Sequence, residues 1–197
     1  VWTHQMSHGD DYAMFNNKPM FRYNAYTGIH TIHYMDLKET GGREGLPLAR
    51  IVLSSLLTKL AKSGARSEEG GRILKPWAEK LFNRIDTVKF CSYVGSDGFP
   101  VIIPLLACQA ADSTRLAFSD LAYRDELRGL QSGMHVAVFG LTLEMEDVLV
   151  RGVFRGFYTY RKITLGTVDI DWVYNSMPPV HGQIYPEVAL KPVQDFQ

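Results

Sequence analysis

Residues 90–101 read FCSYVGSDGFPV, and this stretch decides the class of fold. Its first half is rich in residues that favour strands, and the GSDG of residues 95–98 is typical of a hairpin turn. A second strand is expected to begin at Phe99. In that strand, Pro100 and Pro104 cannot donate to a ladder of backbone hydrogen bonds. They therefore indicate an edge strand, a bulge, or a backbone that faces a ligand.

Similar patterns on both sides of this hairpin predict six antiparallel strands in all. The expected strands are residues 87–94, 99–108, 115–119, 135–144, 148–160 and 164–174. A helix capped by Asp120 and closed by Gly133 is expected over residues 122–131. Strands joined mostly by tight turns favour a closed or nearly closed barrel, because closure removes exposed edges. The predicted fold class is mainly β with flanking helices (α+β).

Two helices are expected ahead of the first strand. The first carries an apolar stripe at every fourth position, formed by Leu48, Val52, Leu56 and Leu60. The second begins near Pro76, since proline is tolerated only in the first turn of a helix. We therefore expect four regions: an irregular N-terminal arm, a helical segment, a barrel domain and an extended C-terminal tail. Their bounds are residues 1–46, 47–84, 85–175 and 176–197.

Composition excludes several classes of function. The chain has 21 Lys and Arg against 21 Asp and Glu, so it lacks the basic excess of a typical nucleic-acid binder. Its best apolar run, residues 134–143, is too short to span a bilayer, and we expect no membrane partner. Cys91 and Cys108 lie in apolar runs and are expected to be buried, reduced thiols. That favours a cytoplasmic protein.

Histidines are concentrated in the N-terminal arm. The arm holds His4, His8, His30 and His33, spaced four and three residues apart. Imidazoles at such spacings are weak candidates for a metal site, and no cysteine accompanies them. The alternatives are structural or surface histidines, or a cofactor-lining role for His30 or His33. We therefore predict no metal site.

The region from residue 72 to 175 resembles the flavin split barrels, the pyridoxamine-phosphate-oxidase-like family. Four pieces occur in the order typical of that family: a helix, a hairpin, a strand entering a short helix, and a pair of strands. In this chain they are ILKPWAEKL (73–81), FCSYVGSDGFPV (90–101), LAFSD (116–120), and HVAVFG (135–140) with VLVRGV (148–153). The resemblance implies a six-stranded antiparallel split barrel of the FMN-binding type. It also implies a homodimer with the cofactor near the subunit interface.

The resemblance implies two groups of cofactor-binding residues. The second strand of the hairpin would present backbone to the flavin ring, at Val101, Ile102, Ile103 and Pro104. The corner after the third strand would hold the phosphate, through Ser119 and Arg124. A hydroxyl, a guanidinium and free N–H groups at a helix start suit a phosphate dianion. From its residue type, Trp172 is a further candidate for stacking on the ring, or else packs the barrel mouth.

One departure from the family pattern bears on the substrate. The oxidase-type members carry Ser-Arg-Lys at this corner, where this chain has Tyr123-Arg124-Asp125. The substrate is therefore not expected to be pyridoxamine phosphate. The leading hypothesis is an FMN-binding oxidoreductase with an unassigned catalytic residue. Two alternatives stay open: a related barrel that binds heme or a deazaflavin, and a non-catalytic binding or assembly module that has lost the cofactor.

Overall fold

In a computed structural model of the protein, we describe residues 2–5, 9–10, 13, 31–34, 36, 42, 45–67, 71–144, 146–176 and 182–189. The chain divides into two compact units, residues 1–46 with 177–180 and residues 47–176 with 181–197. In the first unit, β1 (Trp2–Gln5) pairs with β2 (Thr31–Tyr34) in an antiparallel ladder. The second unit contains the two helices and the large sheet described next.

The second unit is built on an eight-stranded antiparallel sheet. Its strands are β3 (Val88–Val94), β4 (Pro100–Pro104), β5 (Gln109–Ala110), β6 (Arg115–Ser119), β7 (His135–Leu141), β8 (Asp147–Tyr160), β9 (Ile163–Asn175) and β10 (Gly182–Tyr185). They pair in the order β4-β3-β7-β8-β9-β6-β5, and β10 pairs with the end of β9 that β6 leaves uncovered. The mainly β, antiparallel fold class is confirmed, with eight strands where six were expected.

The hairpin at residues 90–101 forms as the sequence predicts. β3 and β4 pair in register, and the N–H of Gly95 donates to the carbonyl of Phe99 at 2.8 Å. Gly98 has a φ of 81°, which the turn requires and which glycine adopts without strain. β4 is an edge strand, the first of the three arrangements that its prolines indicated. Strand pairing leaves β4 and β5 at opposite ends, so the sheet is open along the part of the chain that we describe.

Helix α2 (Pro76–Asn83) follows the sequence expectation closely. Proline occupies its first turn, and Ala78, Leu81 and Phe82 are buried. These side chains join the core cluster formed by the inward faces of the strands. Trp77, which was expected on the apolar side, keeps 41% of its surface exposed. α2 therefore covers the inner face of the sheet with one side only.

Helix α1 (Leu48–Ala61) reverses the expected pattern. The predicted apolar stripe is exposed, with Leu48, Val52, Leu56 and Leu60 between 49% and 66% accessible. The buried residues are instead Ile51, Ser54, Ser55, Thr58 and Ala61. Small and hydroxyl side chains let the helix approach β6 closely, and the backbone N–H of Ser119 donates to Thr58 Oγ1 at 2.9 Å. Hydrogen bonding to β6 rather than apolar area therefore orients this helix.

The corner after β6 also differs from the prediction of a helix over residues 122–131. Only a four-residue 3-10 turn forms there, at Glu126–Gly129. Tyr123 and Leu127 are buried one turn apart, and the N–H of Leu127 donates to the Tyr123 carbonyl at 3.0 Å. A single turn forms too few backbone hydrogen bonds to offset the conformational entropy lost when a helix is nucleated. Gly133 does take the expected left-handed conformation, with a φ of 90°.

Burial of the two cysteines confirms another expectation. Cys91 and Cys108 are free thiols with no exposed surface. Burial raises the pKa of each to about 12, so both stay protonated at neutral pH. Neither is therefore poised for nucleophilic or metal chemistry. Within the described ranges, no helix has both the length and the apolar character needed to traverse a bilayer.

Candidate functional site

A cleft of about 550 Å³ lies on the outer face of the sheet. Its lining comes from β3, β7, β8 and β9, together with Pro100 at the start of β4 and Pro186 after β10. Strand alternation points Ser92, Val94, His135 and Ala137 outward, because their neighbours along β3 and β7 point into the core. Two core residues, Tyr93 and Val136, also contribute to the lining. The volume falls within the range of pockets that hold drug-sized molecules and cofactors.

The floor of the cleft follows from one row of paired residues. Strand register aligns Ser92 with Ala137, Ala137 with Arg151, and Arg151 with Trp172. Ser92 and Ala137 are small, whereas Arg151 and Trp172 are large. The small side chains of Ser92 and Ala137 therefore leave a depression over β3 and β7. The large side chains of Arg151 and Trp172 project beside it from β8 and β9. Ile102 of β4, which pairs with Ser92, continues the same row at the sheet edge and is 66% exposed.

The raised side of the cleft is a stack of three side chains. The Arg151 guanidinium carbon lies 4.6 Å from the centroid of the Trp172 ring. Trp172 in turn stacks on Tyr174, with centroids 5.6 Å apart and planes 7° from parallel. The indole Nε1 donates to Gln183 Oε1 at 2.9 Å. Because β10 anchors it in this way, Trp172 offers a fixed, flat, apolar wall.

Three polar side chains complete the lining. His135 and Asp171 are exposed, and Ser92 is half-buried. Arg151 is the only lysine or arginine among the lining residues. The cleft thus combines an aromatic wall with a few hydrogen-bonding groups, the composition typical of small-molecule sites.

The predicted cofactor-binding residues are not all in this cleft. Trp172 lines it, and β4 borders it through Pro100. Along β4, Val101 and Pro104 are half-buried, Ile102 is exposed and Ile103 is buried. The role of these four residues stays a prediction. Their strand does lie at the sheet edge, where none of the other described strands pairs with its outer side.

The predicted phosphate residues lie at the β6 corner. Ser119 is only 3% exposed, and its Oγ accepts a hydrogen bond from the N–H of Leu121 at 3.3 Å. The Arg124 side chain is 63% exposed and its Nε donates to Asp120 Oδ2 at 2.9 Å. Tyr123, which replaces the family's serine, is buried in the core cluster. The phenol therefore fills the interior, while Arg124 stays at the surface.

The N-terminal histidines are described only in part. His4 and His33 lie on the paired strands β1 and β2. In the backbone register of this ladder, His4 pairs with Ile32 and His33 pairs with Thr3. His8 and His30 lie outside the described residues. A cofactor-lining role for His30 or His33 stays a prediction. No group of three or more potential metal ligands occurs among the residues that the structure describes.

Two lining residues were missed in the sequence or given another role. In the sequence, His135 marks only the start of an expected strand. Arg151 and Arg155 would share one face of their strand, where they could bind an anion or face the solvent. The missing signal is cross-strand register, which brings residues from four strands together and leaves no trace in a single strand's pattern. The structure separates the two arginines. Arg151 packs on Trp172, whereas Arg155 Nε donates to Asp169 Oδ2 at 2.6 Å.

Asp169 is the centre of a second polar cluster on the sheet. Arg115 and Arg155 each donate to one of its carboxylate oxygens. Burial alone would raise the pKa of Asp169, but the two guanidinium groups outweigh it and hold the pKa below its ordinary value. The carboxylate is satisfied on both oxygens, so this cluster braces β6, β8 and β9 against one another.

Comparisons with known proteins give similarity of fold only. No protein-family model matches the chain, and no curated protein matches it. Similar solved structures include HupZ of group A Streptococcus, with 12% identity and a TM-score of 0.40, covering 55% of this chain and 98% of that chain. A Lactobacillus delbrueckii protein named as a candidate pyridoxamine 5'-phosphate oxidase has 16% identity and a TM-score of 0.40, over 53% and 96% of the two chains.

An F420 reductase is also similar, with 15% identity and a TM-score of 0.37, covering 51% of this chain and 98% of that chain. Each likeness extends over about half of this chain and concerns its fold alone.

Proposed function

We propose that the protein binds FMN in the outer-face cleft and acts as an oxidoreductase. The observation that carries this proposal is the anchored stack of Arg151, Trp172 and Tyr174 beside a floor of small residues. A planar, apolar ring system with polar edges fits such a surface, because one of its faces can lie against an aromatic wall. The flavin would supply the hydride or electron transfer.

Each lining group has a physical task in this account. The stack of Arg151 on Trp172 would cover one face of the ring system, and the edge of the guanidinium would offer donors to carbonyl or phosphate oxygens. Ser92 and His135 would hydrogen-bond to polar ring edges. The exposed edge of β4 would present backbone amides near the ring, as expected for Val101, Ile102, Ile103 and Pro104. Ser119 and Arg124 remain the proposed phosphate contacts, and because Ser119 pairs with Leu165, seven residues along β9 from Trp172, they would reach the ligand from the second copy of the chain. For Arg124 that requires exchange of its Asp120 partner for the ligand.

We also propose that a second copy of the chain covers the cleft. The outward residues of the β3–β4 hairpin are apolar and exposed: Phe90 is 37%, Val94 62% and Ile102 66% accessible. An apolar surface of this kind is typical of an interface between subunits. Because its rim continues into the lining at Val94 and Pro100, the partner would complete the site. The substrate is a small molecule or an electron partner.

Binding of FMN to matched tryptophan variants tests the proposal. Trp172→Ala removes the wall, whereas Trp77→Ala removes a partly exposed tryptophan on α2, outside the cleft. We expect Trp172→Ala to weaken FMN binding by roughly 10- to 100-fold, since stacking on a base-like ring is worth about 1–3 kcal/mol. Trp77→Ala should bind as the wild type does. Equal binding by both variants would place the flavin elsewhere.

A second candidate function is heme binding, and His135 favours it. This imidazole is exposed on the cleft, where it could ligate an iron. Addition of hemin to the protein and to His135→Ala separates the two candidates. A Soret shift that depends on His135 supports heme, and flavin binding that survives in His135→Ala supports FMN. A deazaflavin would use the same wall as FMN, and its own absorption would identify it. A protein that takes up none of the three would be a binding or assembly module.

A further inference from the structure

Lys89 is a buried lysine on the inner face of β3. Its residue is 1% exposed, and it is the only lysine or arginine among the buried residues that the structure describes. The ammonium donates to two backbone carbonyls, those of Arg84 at 2.8 Å and Leu106 at 3.2 Å. The first of these carbonyls lies just beyond the C-terminus of α2, where a cation is favourable.

The charge on Lys89 has no opposite charge beside it. Among the described residues, no carboxylate lies within ion-pair distance of its Nζ. Asp86 is the nearest acid along the chain, and it is engaged by Arg84 at 2.6 Å. Burying an unpaired charge is costly, so buried charges are usually paired. Burial, with a smaller contribution from the neighbouring Lys62, lowers the pKa of Lys89 to about 8.

A cavity of about 260 Å³ adjoins this lysine. Its charged lining residues are Lys59, Arg84 and Lys89, and no acidic residue lines it. Arg84 is paired with three carboxylates, those of Asp86, Glu144 and Glu146, whereas Lys59 has no ion pair in the described part of the chain. Lys62 reaches the same rim, where its Nζ donates to the lining residue Asn83. The cavity therefore carries an excess of positive charge.

We propose that this cavity binds a small tetrahedral dianion, either inorganic phosphate or the phosphate of a phosphomonoester. Lys89 lies at its inner end and Lys59 at its helical wall, so a dianion between them would supply the missing opposite charge. A phosphate group accepts several hydrogen bonds at once and suits more than one ammonium. The site shares no lining residue with the outer-face cleft and does not depend on a flavin.

Sulfate titration of the full chain by isothermal calorimetry tests the proposal, because sulfate keeps its charge across the pH range used. The wild type should bind one sulfate saturably at pH 7. Lys89→Met should bind at least tenfold more weakly, and Lys59→Met several-fold more weakly. Lys75→Met, at the exposed residue just before α2 and outside the cavity, is the matched control and should bind normally.

The pH dependence gives a second readout that does not depend on the folding of Lys89→Met. Three titratable groups face Lys89: Asp86, Cys108 and Lys62. The pKa of Asp86 is about 2 and that of Cys108 about 12, so neither changes charge between pH 7 and 9. Burial also lowers the pKa of Lys62, whose loss of charge would act in the same direction. Sulfate should therefore bind the wild type about tenfold more weakly at pH 9 than at pH 7.

The outcomes separate clearly. Absence of saturable binding, or equal binding by the wild type, Lys59→Met and Lys89→Met, would overturn the proposal. Binding that is insensitive to pH would also overturn it. Inorganic phosphate and glycerol 2-phosphate then identify the ligand. Tighter binding of the ester supports a phosphomonoester site, and tighter binding of phosphate supports a site for the free ion.

Discussion

The guanidinium of Arg151 lies over the indole of Trp172, with Cζ 4.6 Å from the ring centroid. The two residues are register partners on β8 and β9, so the sheet itself sets their contact. Trp172 also stacks on Tyr174, and its Nε1 donates to Gln183. This arrangement keeps a flat wall in place before any ligand arrives, which lowers the entropic cost of binding.

The first prediction concerns this cation. Arg151→Gln keeps a polar side chain but removes the positive charge above Trp172. We expect FMN affinity to fall about tenfold, since a hydrogen bond to a charged group is worth roughly 1.5–3 kcal/mol. Fluorescence quenching of FMN measures the effect. Arg128→Gln, at an exposed arginine that pairs only with exposed Asp125, is the control and should bind as the wild type does.

The second prediction concerns the brace at Asp169. Asp169→Asn leaves Arg115 and Arg155 without their shared carboxylate, and two of these three side chains are mostly buried. We expect a loss of about 2–3 kcal/mol in the free energy of unfolding, less than for a fully buried pair. Urea denaturation at pH 7 measures it. An unchanged midpoint would show that the cluster contributes nothing to stability.

The same carboxylate predicts an acid dependence. The pKa of Asp169 is lower in the folded protein than in the unfolded chain. The ionised carboxylate therefore makes its full contribution to the free energy of unfolding above the unfolded pKa of about 4. This contribution is lost as the pH falls from about 4 through the lower pKa of the folded state. The difference in unfolding free energy between wild type and Asp169→Asn should therefore be constant from pH 7 to about 5 and shrink below about 4. A difference that grows in acid would contradict this assignment.

The third prediction concerns the buried Lys89 in buffers without phosphate or sulfate. Its folded-state pKa of about 8 lies below the ordinary lysine value of 10.5, so the unfolded chain binds the extra proton between these values. Stability of the wild type relative to Lys89→Met should therefore rise between about pH 8 and 10.5, by roughly 2–3 kcal/mol. Urea unfolding of both proteins at pH 7, 8.5 and 10 measures this, and parallel curves would rule out a lowered pKa.

The fourth prediction concerns Gly152 at a bulge between β8 and β9. A Cβ at this position would clash with the carbonyl oxygen of Asp169 and lie 2.9 Å from its carbonyl carbon. Backbone cannot move aside as a flexible side chain can, so Gly152→Ala should cost about 3 kcal/mol or more. Gly45→Ala, where an added Cβ meets nothing within 4 Å, should change stability little. Thermal denaturation of both variants compares them.

Local signals in the sequence predicted the sheet well. The hairpin at residues 90–101, the start of α2 at Pro76 and the long strands near the C-terminus depend on turn residues and period-two patterns. Such signals are contained in a few consecutive residues and do not need the rest of the fold. The two additional strands, β5 and β10, are two and four residues long and too short for periodicity to reveal.

The face of α1 could not be predicted in the same way. Its sequence shows an apolar stripe, yet the helix buries Ser54 and Thr58 and leaves Leu56 half-exposed. The deciding interactions are hydrogen bonds to Ser119, more than 60 residues away along the chain. Local periodicity contains no information about a partner at that distance, and tertiary contacts override it.

The candidate site was predicted only where it depends on residue type. Trp172 was identified as a surface for stacking, and it lines the cleft. His135 and Ser92 join it only through the order and register of four strands. Lys89 gave no signal in the sequence, because an alternating strand offers no reason for a lysine to point inward.

The visible absorption spectrum of the freshly purified full chain tests the central claim most directly. Chromophore released by heat is then identified by mass, and a colourless preparation is titrated with FMN. The account predicts paired flavin bands, or FMN uptake that Trp172→Ala weakens and Trp77→Ala does not. A colourless protein that fails to take up FMN would contradict it.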